Sequence, residues 1–226
     1  MAFDTISAIS TALVASGVAV IRISGQKSLE IAKEMFVPQG RTAVLDFEPN
    51  KMYVGEILAD GFSDHGMCVY FKAPKSFTGE DVVEFHCHGG IAITRGILNK
   101  TFELGARLAT NGEFTKRAFL NGKLSLSSCE GLIDMINSES VTQIKSGFYL
   151  FKEHLKNKIY NIQQQLTIIL AQIDANIDYP EEGLIEDSGE EIKEKLLAIV
   201  PELQNMLSSY STGKIIADGT SGERKC

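Results

Sequence analysis

The chain has no C-x-x-C pair among its four cysteines, Cys68, Cys87, Cys129 and Cys226, which argues against a structural zinc site. No secretory leader opens it, so these thiols are expected to be reduced and the protein cytoplasmic. No apolar run approaches a membrane span, and no membrane partner is expected. Positive charge is in short supply: 22 Lys and Arg stand against 29 Asp and Glu, a formal net charge of −7. That balance argues against a generic nucleic-acid binder with a basic surface, and leaves RNA contact to a local patch or a partner. There is no G-x-x-x-x-G-K-[ST] loop, since Gly213-Lys214 lacks both the upstream glycine and the following Ser or Thr. The sequence therefore has no phosphate-cradling loop of that kind. It has no G-x-S-x-G nucleophile elbow either.

What is present supports a folded chain. Apolar residues make up 44% and charged residues 23% of 226 positions, enough for a buried core and room for one large domain or two small ones. Residues 1–120 hold 12 basic and 13 acidic side chains, and residues 121–226 hold 10 and 16, so the first half is the better place for an anionic ligand. Asp4–Thr11, Val18–Ile23, Met52–Leu58, Met67–Phe71 and Val82–His88 read as strands, with Arg107–Thr110 as an edge strand and Ala59–Gly66 as a turn-rich connection. Ser28–Phe36, with Ser28 as its cap, and Ile91–Leu104, closed by Gly105, read as helices. The expectation is an α+β domain over residues 1–120, mostly antiparallel, with two helices on one face.

Beyond residue 120 the strand signals stop, and residues 121–211 read as a helical domain. Ser127 with Glu130, Ser140 with Gln143 and Ser188 with Glu191 fit capping boxes. Ile144, Phe148, Phe151, Leu155, Ile159, Ile162, Leu166, Ile169, Ile173 and Ile177 recur at steps of three and four, which predicts one long helix with a single apolar stripe, ended by Pro180. Ile192, Leu196, Ile199, Leu203 and Leu207 form a second stripe, with a kink at Pro201. Residues 212–226 read as linker or disorder. Two such helices do not close a bundle. Either they pack on each other and on the first domain, or part of the helical domain lies outside this sequence.

Two polar constellations stand out. In Ser76–Glu84 (SFTGEDVVE), three carboxylates, Glu80, Asp81 and Glu84, lie at the entry to a strand. Strand alternation places Glu84, His86 and His88 on one face and Val83, Phe85 and Cys87 on the other. Glu80 and Asp81 cap a turn with Glu84 merely exposed, or Glu84 accepts paired hydrogen bonds from a ring N–H and an adjacent amino group, as pterin and guanine rings present. His86 and His88 have no third ligand nearby in sequence, so no metal site is expected. The second constellation is Glu113–Lys123 (EFTKRAFLNGK). It is a solvated hinge with Phe114 and Phe119 as packing pegs, or Lys116, Arg117 or Lys123 holds an anion. Arg22, inside the apolar stretch Ala19–Ile23, is either a paired structural arginine or part of that anion site.

Taken together, Gly17–Gly25 (GVAVIRISG), Ser76–Glu84, His88-Gly89-Gly90, Glu113–Lys123 and Asp178–Glu182 (DYPEE) occur in the order and spacing of the tRNA modification GTPase MnmE (TrmE) family, which the chain resembles over nearly its whole length. The resemblance implies a folate-binding, dimer-forming amino-terminal domain similar to the tetrahydrofolate-binding domain of the glycine cleavage aminomethyltransferase. It implies a helical domain interrupted by a Ras-like GTPase domain and ending in a C-x-G-K tail. It also implies a partner, the flavoprotein MnmG, with which an aminomethyl-type group is placed on the tRNA wobble uridine. The one-carbon unit comes from formyl- or methylene-tetrahydrofolate. Carried over residue by residue, the family's folate contacts fall on Arg22, Glu84 and Lys123, with no catalytic residue assigned. Glu84 serves the pterin edge; Arg22 and Lys123 serve the formyl oxygen or the anionic end. The sequence stops near where the GTPase domain begins in that family, so GTP, Mg²⁺ and K⁺ binding and GTP hydrolysis are not expected of these residues. Absence of the tail lysine leaves an alternative, a purely structural dimerisation scaffold with an incomplete folate site.

Overall fold

The computed structural model describes residues 4–178 and 189–218, and the chain divides into two compact units, Met1–Leu124 and Ser125–Cys226. In the first, seven strands form one sheet: β1 (Ile6–Ile9), β2 (Ser16–Ser24), β3 (Phe36–Pro38), β4 (Met52–Ala59), β5 (Phe62–Phe71), β6 (Val82–Gly89) and β7 (Arg107–Leu108). Their order is β3-β4-β5-β6-β2-β1-β7. Pairing is antiparallel throughout except for β7, which runs parallel to β1 at the edge. The helices are α1 (Ser28–Met35), α2 (Ile91–Glu103) and α3 (Glu113–Leu120). The α+β expectation holds.

The period-2 pattern sets the two faces of the sheet apart. Ala19, Ile21 and Ile23 of β2 and Val83, Phe85 and Cys87 of β6 are buried in one cluster with Ile31, Ala32 and Met35 of α1 and Ile97 and Leu98 of α2. Both helices thus cover the same face. Arg22, Glu84 and His86 alternate with the core residues and stand on the opposite, open face, together with the exposed Met52, Val54 and Leu58 of β4. Gly105, at φ +100°, takes the left-handed conformation that ends α2, and its N–H donates to the carbonyl of Phe102.

Several local expectations need correction. Asp60-Gly61 is a two-residue hairpin turn, so β5 begins at Phe62, opposite Ala59, and most of the segment read as a connection is strand. Ser28 does not cap α1: it is the first helical residue, and its buried hydroxyl has no hydrogen-bond partner. Residues 113–120 are helix α3 rather than a hinge. The short strand β3 and a 3-10 turn at Val44–Asp46 carried no period long enough to detect.

The second unit contains α4 (Leu126–Ile136), α5 (Val141–Phe151), α6 (His154–Asp178) and α7 (Gly189–Asp218). Ser125, not Ser127, caps α4 by accepting from the backbone N–H of Ser128. The Ser140–Gln143 capping box forms with both reciprocal bonds. The single long helix predicted from the stripe is two helices: the chain breaks between Phe151 and His154, where Glu153 has φ +60°. Apolar periodicity continues across that break, so the stripe alone does not reveal it. Pro201 lies inside α7, and residues 212–218, read as tail, belong to the same helix. Pro180 and Ser188 lie outside the described residues. Of the first stripe only Ile162 and Ile169 are buried, in a small cluster with Ile199; Ile144, Phe148, Ile159, Leu166 and Ile177 are exposed.

Helices α4 and α5 cross with their backbones nearly touching. A Cβ built on Gly131 would lie 2.5 Å from the carbonyl oxygen of Gly147 and from the backbone nitrogen of Phe151. Neither atom is able to yield as a flexible side chain would. Gly131→Ala is expected to destabilise the helical unit by about 1–3 kcal/mol, the usual cost of overpacking. Urea unfolding followed by helical circular dichroism checks this, and an unchanged midpoint would mean that the crossing opens freely.

Candidate functional site

The open face of the sheet carries the candidate site. Arg22 and Glu84 are direct partners across the β2–β6 pairing. The guanidinium Nε donates to Glu84 Oε1 at 2.6 Å, with the side chains 25% and 13% exposed. Two aromatic rings flank the guanidinium carbon: Phe77, from the loop between β5 and β6, at 5.4 Å, and Phe114, from α3, at 5.5 Å. Both distances suit a cation–π contact.

Glu84 uses only one oxygen in this way. Oε2 lies 3.6 Å from His86 Nε2, beyond hydrogen-bonding range, and that ring nitrogen is buried without a hydrogen-bond partner. Burial by itself would raise the carboxyl's pKa, but attraction to His86 and Arg22 outweighs it and holds the group below its ordinary value. The result is a mostly buried, ionised carboxylate with one oxygen still available as an acceptor.

Lys123 follows α3. Its ammonium donates to the carbonyl of Pro74 at 2.9 Å, and Asn121 donates to the carbonyl of Thr78 at 2.7 Å. A Cβ on Gly79 would lie 3.2 Å from Lys123 Cγ, so the absence of a side chain lets the lysine stem cross the loop closely. Of the three residues expected to form a site, Arg22 and Glu84 are in direct contact. Lys123 is tied to the same loop that supplies Phe77 to Arg22. Asp81 anchors the loop by accepting from the Tyr70 hydroxyl at 2.8 Å and the Ala73 backbone N–H at 2.9 Å.

The other basic candidates separate. Arg117 is only 2% exposed and donates to Glu80, Glu113, Asp4 Oδ1 and the Asp4 carbonyl at 2.7–3.2 Å. Its role is structural, and Glu80, which also accepts from Ser24 at 2.7 Å, belongs to that network rather than to a free turn. Lys116 is exposed on α3, and Phe119 is exposed rather than a packing peg. Sequence reasoning did not find Phe77 and Phe114 as the walls beside Arg22, although both sit inside the two polar motifs it singled out. His88 is held by Asp64, its Nδ1 lying 2.7 Å from Oδ1. Among the described residues no group of three or more His, Cys, Asp or Glu side chains is placed to hold a metal.

Residues 5–123, which hold the whole site, match the model of the GTP-binding protein TrmE N-terminus, and residues 126–221 match that of the MnmE helical domain. The chain belongs to the MnmE (TrmE) family. The tRNA modification GTPase MnmE of Caldicellulosiruptor saccharolyticus is 40% identical over 220 residues, covering 97% of this chain and 48% of that protein. The MnmE proteins of Carboxydothermus hydrogenoformans and Acetivibrio thermocellus are 38% and 39% identical over 219 residues, each covering 96% of this chain and 48% and 47% of theirs. The chain thus spans about half the length of these curated MnmE relatives. The family resemblance carried by the five sequence motifs is confirmed.

Within the amino-terminal unit, the Arg117 network ties α3 and the loop before β6 to the sheet. Arg107 donates to both Glu113 oxygens at 2.6 and 2.9 Å, while Thr110 donates to one of them from its backbone and its hydroxyl. Hydrogen bonding from Arg107 is the main cause that depresses the Glu113 pKa far below the ordinary carboxylate range, against the opposing effect of burial. A carboxyl depressed in the fold contributes its full stability above its unfolded pKa and loses it as the pH falls toward the folded value. Arg117→Ala is expected to cost about 3–5 kcal/mol at neutral pH, the range for breaking a buried pair. Because Arg117 is one of the lesser groups that lower Glu113, that difference from the parent chain should shrink only in part as the pH drops below about 4.3, the ordinary glutamate value. Denaturant titrations at several pH values check both parts. A penalty independent of pH would show that lost packing, rather than charge, sets the cost.

Proposed function

We propose that the amino-terminal unit binds a one-carbon tetrahydrofolate, formyl- or methylene-tetrahydrofolate, with Glu84 reading the pterin edge and Arg22 and Lys123 serving the formyl oxygen or the anionic end. The observation that carries this reading is the Glu84 carboxylate: ionised, mostly buried on a sheet face without a core, and with Oε2 lacking a hydrogen bond while Arg22 holds Oε1. A half-buried acceptor left open in this way suits a ring bearing N–H donors. Phe77 and Phe114 add apolar ring surface beside it. Such a cofactor supplies the one-carbon unit when bound; the residues here bind and orient it, and none is assigned a catalytic step.

The wider role follows from the family. In this reading the chain takes part in aminomethyl-type modification of the tRNA wobble uridine in the cytoplasm. It acts with the flavoprotein MnmG, and tRNA is contacted mainly through that complex. GTP hydrolysis, with its Mg²⁺ and K⁺, belongs to a Ras-like domain outside these residues. The Arg22–Glu84 ion pair also favours a second reading, a structural dimerisation scaffold in which that pair only stabilises the sheet.

Calorimetry with 5-formyl-tetrahydrofolate separates the two. Glu84→Ala is expected to weaken binding by about 1.5–3 kcal/mol, the loss of the charge-assisted hydrogen bonding to Oε2, or about 10- to 150-fold in Kd. Glu80→Ala should lower stability and leave affinity close to that of the parent. Equal loss of affinity in both variants would mean that the ring-reading carboxylate is misassigned, and no binding by the parent chain would favour the scaffold.

Self-association belongs to the same proposal. Val37, Met52, Val54 and Leu58 leave an exposed apolar row on the open face of the sheet. Burying such side chains is worth about 1.5 kcal/mol or more each, and a second copy of the chain would cover them. Sedimentation at micromolar concentration should show a dimer that Met52→Glu or Val54→Lys converts to monomer. A parent chain that sediments as a strict monomer would sink the proposal.

A further inference from the structure

His86 is the one neighbour of Glu84 whose role the ring-binding reading does not use. Its side chain is 22% exposed, and Nε2 is fully buried, has no hydrogen-bond partner, and lies 3.6 Å from Glu84 Oε2. Because Arg22 already holds Oε1 at 2.6 Å, Oε2 is the oxygen left for a ligand, and it is the oxygen His86 faces. We infer that His86 is a proton-controlled positioning residue for Glu84: when neutral it leaves Oε2 to the ligand ring, and when protonated it takes that oxygen and excludes the ring. The inference rests on the reading of Glu84 as the ring-reading carboxylate.

The geometry supports it in three ways. A shift of about 0.7 Å brings the pair to an ordinary N–H···O distance, which small side-chain rotations supply without moving the strands. A charge-assisted bond to a carboxylate is roughly twice as strong as a neutral one, so protonation changes His86 from a weak competitor into a strong one. An imidazole is also the side chain whose unperturbed titration falls between pH 5 and 8. The groups that share the open face with His86 do not duplicate this role. Val20 of β2 and Met67 of β5, its cross-strand partners, are apolar. The charged or titratable neighbours are Arg22 from β2, His65 from β5, and Glu84 and His88 from β6 itself. His65 is paired in register with Glu56 on the far side of β5, and His88 is engaged by Asp64. The depressed pKa of Glu84, to which His86 contributes, agrees with this coupling.

The test measures the affinity of the full 226-residue chain for 5-formyl-tetrahydrofolate across that pH range. Binding that requires a neutral imidazole is expected to weaken by at least about fivefold between pH 8 and about pH 5.5, across the range in which imidazole side chains change charge. The probe's carboxylates titrate below this window. In His86→Gln, and in His86→Asn as a second variant, the affinities at the two pH values should agree to within about threefold, because no proton has to be released. His88→Gln should keep the parent profile. Carboxyl NMR gives a readout that needs no ligand: the Glu84 titration midpoint should rise in His86→Gln, because one of the groups that lowers it is gone. A flat parent profile with binding intact at pH 8, or a pH dependence that survives in both His86 variants, overturns the inference and leaves the ring-binding reading standing. An unmoved Glu84 midpoint overturns it as well. No binding at pH 8 overturns both.

Discussion

A buried guanidinium holds the amino-terminal unit in the form that makes a site possible. Arg117, paired within its own helix to Glu113, joins that helix to three parts of the chain that have no local reason to meet it: the segment before β1 through Asp4, the loop before β6 through Glu80, and β2 through the Ser24 bond to that same Glu80. A buried charge is tolerated when its partners are ionised and well placed, and removing one member leaves the others uncompensated. The arrangement therefore acts as a clasp. With it closed, α3 brings Phe114 to Arg22 and leads to Lys123, and the loop brings Phe77 to the same guanidinium.

The clasp and the site divide the charged residues of the two polar motifs between them. Glu80 and Arg117 have their bonding capacity directed inward and stabilise the fold. Glu84 and Arg22 pair on the open face, where Glu84 retains an unbonded oxygen. One face of the sheet is a packed core under α1 and α2, and the other carries a half-buried ion pair beside exposed apolar side chains. A surface of that kind, apolar with a few placed polar groups, is the kind that binds ring ligands and second copies of a chain.

The helical unit has a different physical character. Its helices α4 and α5 meet backbone against backbone at Gly131 and Gly147, where no side chain fits. Its buried apolar cluster is small, and much of the stripe along α5 and α6 stays in contact with solvent. Stability there depends more on the α4–α5 crossing and on capping, as at Ser125 and in the Ser140–Gln143 box, than on a deep core.

Alternation along β6 is a local property of an extended chain, and it was enough to place Glu84, His86 and His88 opposite Val83, Phe85 and Cys87; that Arg22 shares their face follows from the β2–β6 register. The five ordered motifs were likewise sufficient for the family. Local chemistry was insufficient where the outcome depended on distant partners. Arg117 and Lys123 look alike as basic residues of one motif. Only the packed fold buries the first among Asp4, Glu80 and Glu113 and leaves the second on the surface, since a charge is buried or solvated according to what the rest of the chain brings to it. The break at Glu153 was hidden for a related reason: apolar spacing reports which face a helix buries and does not register a single left-handed residue that redirects the axis. Sequence by itself determined the faces and the family, because both follow from residue types at short, regular spacing. Tertiary structure decided which charges are spent on the fold and which remain available for a ligand, because that depends on contacts between residues far apart in the chain.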